Sequence, residues 1–129
     1  MAQQNPVVWF EIYTNDLSRA QKFYETVFQV QLTELPNPDP QENFKMLSFP
    51  GDMETKGAAS GALVWMEGFE AGGNGTIVYF HSEDCVTEES RVEKAGGTIF
   101  KPKMSIGEYG FVSLVIDTEG NMIGIHSLK

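Results

Sequence analysis

A chain of 129 residues with 41% hydrophobic side chains is long enough for one buried core and too short for two independent domains. Nine basic residues against eighteen acidic ones leave a net charge of −9, which repels phosphate backbones and anionic lipids and argues against nucleic-acid and membrane partners. Cys85 is the only cysteine, so an intrachain disulfide and a cysteine-based zinc site are excluded; the acidic neighbours Glu83, Asp84, Glu88 and Glu89 favour a packing role for it over a reactive one. No run approaches the roughly 18 apolar residues of a membrane helix. Met1-Ala-Gln-Gln-Asn5 lacks the basic start and apolar run of a signal peptide, so the expected location is the cytoplasm.

In chain order, Val7–Tyr13 reads as a short strand, and Asn15 or Asp16 caps a helix that runs to about Phe28. Leu17, Ala20, Phe23, Tyr24, Val27 and Phe28 form one apolar stripe at helical spacing, the pattern of a face turned to a core. Strands are expected near Val30–Leu35, Phe44–Phe49 and Gly61–Met66, separated by the breaker-rich segments Pro36–Pro40 and Pro50–Ser60. Glu67–Gly75, with four glycines, reads as a joint. Beyond it come a strand at Ile77–His81, a helix at Cys85–Ala95 stopped by Gly96-Gly97, and strands at Thr98–Phe100, Phe111–Ile116 and Met122–Ser127. Asp117–Asn121 is the expected hairpin turn between the last two strands, and Ile106–Gly110 a flexible loop at a cleft edge.

The second half repeats the first. Asn15-Asp16 is answered by Glu83-Asp84 and Gln29-Val30 by Gly97-Thr98, both at an offset of 68 residues. A long period present only twice predicts two fused βαβββ modules, one over about 7–66 and the other over about 76–127. Each module uses its helix to cover one strand face. The two remaining faces, curling toward each other, would enclose a cleft.

This order of elements, with Asn15-Asp-Leu-Ser-Arg-Ala-Gln-Lys-Phe-Tyr24 early and Asp117-Thr-Glu-Gly-Asn-Met-Ile-Gly-Ile-His126 late, resembles the vicinal oxygen chelate superfamily of glyoxalases, bleomycin-resistance proteins and extradiol dioxygenases. The resemblance covers essentially the whole chain and is nearest to the small single-domain branch related to lactoylglutathione lyase. It implies an α+β fold in which two tandem βαβββ modules form a curved mixed sheet around a cleft, and it implies a homodimer. In metal-using relatives four cleft-facing side chains hold a divalent ion. The corresponding positions here are Trp9, Ile77, Gly124 and one of Leu63 or Val64, none of which offers a side-chain lone pair to a metal. The expectation is therefore no metal and no cofactor.

With those positions turned inward, strand alternation places Trp9, Glu11 and Tyr13, then Ile77, Tyr79 and His81, then Met122, Gly124 and His126 on the cleft side. The opposite faces carry Phe10, Ile12, Val78, Phe80, Ile123 and Ile125, all apolar, as a helix-covered face requires. Glu11, between Phe10 and Ile12 and sharing a face with Trp9, is the candidate base if it is partly desolvated, or else half of a structural ion pair. His126 is a candidate proton carrier or a structural group. Trp9, Tyr13, Tyr79, His81, Tyr109 and Met122 are candidate ligand-binding residues. Three functions compete: a metal-independent lyase or isomerase using Glu11, a non-catalytic binding protein whose aromatics (Trp65 among them) and negative charge suit a flat cationic small molecule, and a protein-interaction module.

Overall fold

The computed structural model describes residues 6–36, 43–51 and 59–129; the start at Met1–Asn5 and most of the two breaker-rich segments lie outside them. Within this range the chain forms β1 (Trp9–Tyr13), α1 (Leu17–Phe28), β2 (Thr33–Leu35), β3 (Phe44–Ser48) and β4 (Ser60–Met66). The second module supplies β5 (Val78–His81), α2 (Cys85–Val92), β6 (Thr98–Ser105), β7 (Phe111–Ile116) and β8 (Met122–Ser127). A single 3-10 turn, Gly107–Tyr109, precedes β7.

The expected pair of βαβββ modules is present, as two four-stranded mixed sheets of identical topology, β1-β4-β3-β2 and β5-β8-β7-β6. In each, the first strand runs parallel to the last and the remaining pairs are antiparallel. A crossover helix between parallel strands must lie on one sheet face, and it does so twice. α1 begins at Asp16, whose carboxylate accepts the Arg19 amide, and α2 begins at Asp84, whose carboxylate accepts the Val86 amide. Ala20, Phe23, Tyr24 and Val27 of α1 pack with Ile12 and Leu63, while Cys85 and Val92 of α2 pack with Val115, Ile123 and Ile125, in one continuous core. Phe80 joins the halves, stacking on Phe28 at 4.4 Å and meeting Phe10 edge-on.

Four element boundaries differ from the sequence expectation by two residues or more. β1 starts at Trp9 rather than Val7. β2 is confined to Thr33–Leu35 because Gln29 ends α1 in the left-handed region and the Leu32 amide turns back to donate to Glu25, which takes residues 30–32 out of the strand. α2 ends at Val92, and residues 93–97 close it as a turn in which the Gly97 amide reaches the Val92 carbonyl over Gly96 at φ +100°. β6 runs five residues past the expected Phe100: it is an edge strand with register shifts on either side of Lys101, which let it carry Pro102.

Candidate functional site

β1 and β5 each sit at the inner end of a sheet, and the space between these two edges is an open cleft of about 1220 Å³. Its walls are β1, β5 and the linker from Glu70 to Thr76, and its interior reaches Phe10, Phe28, Phe49 and Phe80. The linker is held as a wall by three asparagines. Asn15 accepts from the Ala71 amide, Asn121 accepts from the Gly72 amide, and Asn74 both donates to the Gly120 carbonyl and accepts from the Met122 amide.

Trp9, Glu11 and Tyr13 share one face of β1, as alternation requires. The Glu11 carboxylate accepts from Trp9 Nε1 at 3.1 Å and from Tyr13 Oη at 2.8 Å, so both oxygens are fixed by aromatic donors while the group itself stays exposed. Burial pushes the Tyr13 phenol up to about 12, helped by its hydrogen bond to Glu11 and by the Glu11 charge. Tyr13 therefore remains a donor throughout the ordinary pH range, and the Phe69 ring stacks on it at 5.4 Å. What distinguishes Glu11 is thus its orientation rather than the desolvation the sequence suggested.

On the other side, the Tyr79 ring lies over Gly124, where a Cβ would sit 2.3 Å from it. Met122 and His81 also line the cleft, and His81 is exposed with its Nε2 3.9 Å from a Glu83 oxygen. His126 and Tyr109 lie outside the lining, where His126 Nε2 meets the Tyr109 carbonyl at 2.7 Å. That contact ties the 3-10 turn to β8, and the Ile106 amide donates to the Gly110 carbonyl across the turn's base. Trp65 alternates with Val64 and is likewise absent from the lining.

The register of β4 is now fixed. Leu63 is buried in the core and Val64 pairs with Tyr13, so Val64 is the β4 residue on the cleft face. Trp9, Val64, Ile77 and Gly124 then stand at the four positions that the resemblance assigns to metal ligands, and among the described residues no group of three or more His, Cys, Asp or Glu side chains is placed to hold a metal ion. These side chains do not fit a divalent cation.

Sequence reasoning missed the role of the last turn. Glu119, fully buried at its side chain, accepts from the Asn15 and Asp16 amides, from Thr118 and from both Nε and Nη2 of Arg19, the nearest contact at 2.7 Å. Burial alone would raise its carboxyl; Arg19 and the helix-start amides outweigh that and hold it below the usual range. Asp117 accepts from Tyr24 Oη at 2.7 Å and from the Glu119 and Asn121 amides. Burial raises the Asp117 carboxyl despite those bonds, and burial together with the Asp117 charge raises the Tyr24 phenol well above its ordinary value. Asn121 completes the join by donating to the Tyr13 carbonyl at 2.8 Å, which fixes the end of the strand that presents Glu11. The available signal was the crowding of two carboxylates and an amide into five residues, more polarity than a hairpin turn needs.

No family model and no curated protein matches the chain. Solved structures do. Glyoxalase I from Zea mays is similar over 98% of this chain and 48% of its own, at 18% identity and a TM-score of 0.72. The chain therefore spans about half the length of that enzyme. TnmS3, an antibiotic binding protein from Streptomyces sp. CB03234, is similar over 100% of this chain and 99% of its own, at 20% identity and a TM-score of 0.67. A member of the glyoxalase/bleomycin resistance protein/dioxygenase superfamily from Sphaerobacter thermophilus is similar over 95% and 97%, at 19% identity and a TM-score of 0.68. The fold is that of the vicinal oxygen chelate superfamily.

Proposed function

We propose that this chain is a small-molecule-binding protein whose site is the cleft between its two modules, and that Glu11 anchors the positive charge of an organic cation there. The observation that carries the reading is the fixed carboxylate: Trp9 Nε1 and Tyr13 Oη hold both Glu11 oxygens while leaving the anion exposed. Aromatic side chains from Trp9, Tyr13 and, on the other wall, Tyr79 line the same cleft, a setting that favours a flat or amphiphilic cation through ring contacts as well as charge. Among the described lining residues the charged groups are Glu11 and Glu70, with no lysine or arginine to oppose them. TnmS3, an antibiotic binding protein of nearly the same extent, supports a binding role by analogy.

A metal-independent lyase or isomerase reading, with Glu11 as base and His126 as proton carrier, has weaker support. His126 lies outside the cleft lining, its Nε2 is engaged by the Tyr109 carbonyl, and among the described residues no group of three or more His, Cys, Asp or Glu side chains is placed to hold a metal ion that could polarise a substrate. Titrating the protein with ethidium, a planar organic cation, tests the binding reading against the Glu11→Gln variant. The expected result is at least about tenfold weaker binding with thermal stability nearly unchanged, since an exposed carboxylate contributes little to folding. A variant of lowered stability and unaltered affinity would sink it.

We also infer a homodimer. Away from the cleft lining, Met104 and Tyr109 of the second module are exposed, and a second copy is the simplest cover for such a surface. Light scattering at low micromolar concentration should give twice the monomer mass, and a clean monomer would remove the claim.

A further inference from the structure

The cleft is bounded by two strand edges, and the hydrogen-bonding directions of those edges follow from the parallel pairings. Ser60 donates its amide to the Val8 carbonyl and Thr14 donates its amide to the Val64 carbonyl, so the even-numbered residues of β1 address β4. Trp9, Glu11 and Tyr13 therefore aim their backbone N–H and C=O groups the other way. Ser82 likewise donates to the His126 carbonyl, which leaves the backbone groups of Tyr79 and His81 aimed away from β8. Tyr13 bears this out, since its carbonyl is taken by Asn121 from the cleft side. Among the described residues no strand pairing or isolated bridge joins β1 to β5.

Two sheet edges that border one cleft, with outward backbone groups that pair with no strand among the described residues, form a slot for a third strand. A strand laid there would satisfy amides on both sides, whereas strand addition at an ordinary edge satisfies one. We propose that the cleft takes an extended peptide segment, inserted between β1 and β5, with basic side chains toward Glu11 and apolar side chains toward the phenylalanine cluster. The two-faced demand comes from the walls. An inserted strand alternates its side chains, and one wall offers Glu11 between Trp9 and Tyr13 while the other offers Phe10, Phe28 and Phe80. The volume of about 1220 Å³ exceeds the roughly 300–1,000 Å³ of an ordinary drug-sized pocket. The acidic lining complements a basic peptide and opposes an acidic one.

This inference rests on the cleft being the ligand site, and the experiment separates the two. The probe is a capped pentapeptide alternating phenylalanine and lysine, compared with the same peptide N-methylated at alternate residues and with ethidium. Affinities come from calorimetry, and amide exchange at Trp9, Glu11, Tyr79 and His81 is followed by NMR. The expected result is binding of the unmodified peptide, exchange at those four amides slowed by about tenfold or more, and at least about tenfold weaker binding both of the N-methylated peptide and of the unmodified peptide to Glu11→Gln. Equal affinity for the N-methylated peptide, or binding without slowed exchange at the four amides, overturns strand insertion and leaves the cleft as a ligand site. Binding of ethidium but of no peptide does the same. If neither peptide nor ethidium binds, both the insertion and the site are lost.

Discussion

The two modules share a topology and differ in what they do with it. Strand order, the parallel first and last strands and the aspartate at each helix start recur at the 68-residue offset, yet Trp9, Glu11 and Tyr13 of the first module are answered by Ile77, Tyr79 and His81 of the second. The anchored carboxylate is thus found on one side of the cleft only. The helices differ as well. The start of α1 is satisfied by Glu119 from the other module, whereas Asp84 of α2 is met from within its own module by Lys103 at 2.8 Å. Repetition built the scaffold; divergence placed the charge on the first module and the fastening on the second.

Breaking the fastening should have the largest effect. Glu119→Ala leaves the Arg19 guanidinium, two helix-start amides and Thr118 without their acceptor at the junction between modules, a loss of about 3–4 kcal/mol once the half-exposure of Arg19 is allowed for. Denaturant unfolding measures it, and a loss no greater than that of a surface substitution would mean the modules hold together without this turn. Asp84→Ala, at the start of α2, should cost no more than the loss of an ordinary exposed helix cap.

Tyr24→Phe comes next. It removes the hydroxyl given to Asp117 and leaves that buried carboxylate one donor short, for about 2 kcal/mol. The same pair predicts a pH dependence. The Tyr24 phenol is raised in the folded state, so its contribution is complete below the ordinary tyrosine value near 10 and is lost as pH rises beyond it, because the unfolded chain ionises first. Stability of the wild type should therefore fall above about pH 10 more steeply than that of the variant. Parallel curves would detach Tyr24 from the junction.

The comparison also marks what a sequence can disclose. Both helices and most strands were legible because their signals are local: an aspartate cap, an apolar stripe, an alternation with one face uniformly apolar. The face shared by Trp9, Glu11 and Tyr13 followed from the same alternation. The hydrogen bonds that orient Glu11 also lie within one strand, but they depend on rotamers that no pattern specifies. Glu119 could not be placed from the sequence, since its partners Asn15, Asp16 and Arg19 stand about a hundred residues away. The choice between Leu63 and Val64 was open in the sequence because the β4 register is set by the pairing of Val64 with Tyr13, a tertiary fact, and the same register leaves Trp65 off the cleft lining. His126 shares the expected sheet face, but the 3-10 turn that engages it comes from another segment.

The smallest effects sharpen the comparison most. In both modules a glycine on the last strand lies under an aromatic ring from the first, Gly61 beneath Phe10 and Gly124 beneath Tyr79, and in each case an added Cβ would approach ring atoms to 2.3 Å. The rings differ in surroundings. Phe10 is locked among Phe49 and Phe80 on the helix side, so Gly61→Ala must push a packed ring into its neighbours, for about 1–2 kcal/mol. Tyr79 is half exposed on the cleft side, and its ring has room to swing away. Gly124→Ala should therefore cost less than Gly61→Ala in thermal unfolding while shifting the Tyr79 wall enough to change ethidium affinity. If instead Gly124→Ala destabilises as strongly as Gly61→Ala, the Tyr79 ring is held as firmly as Phe10, and the second module's wall is a packed surface rather than an adjustable one.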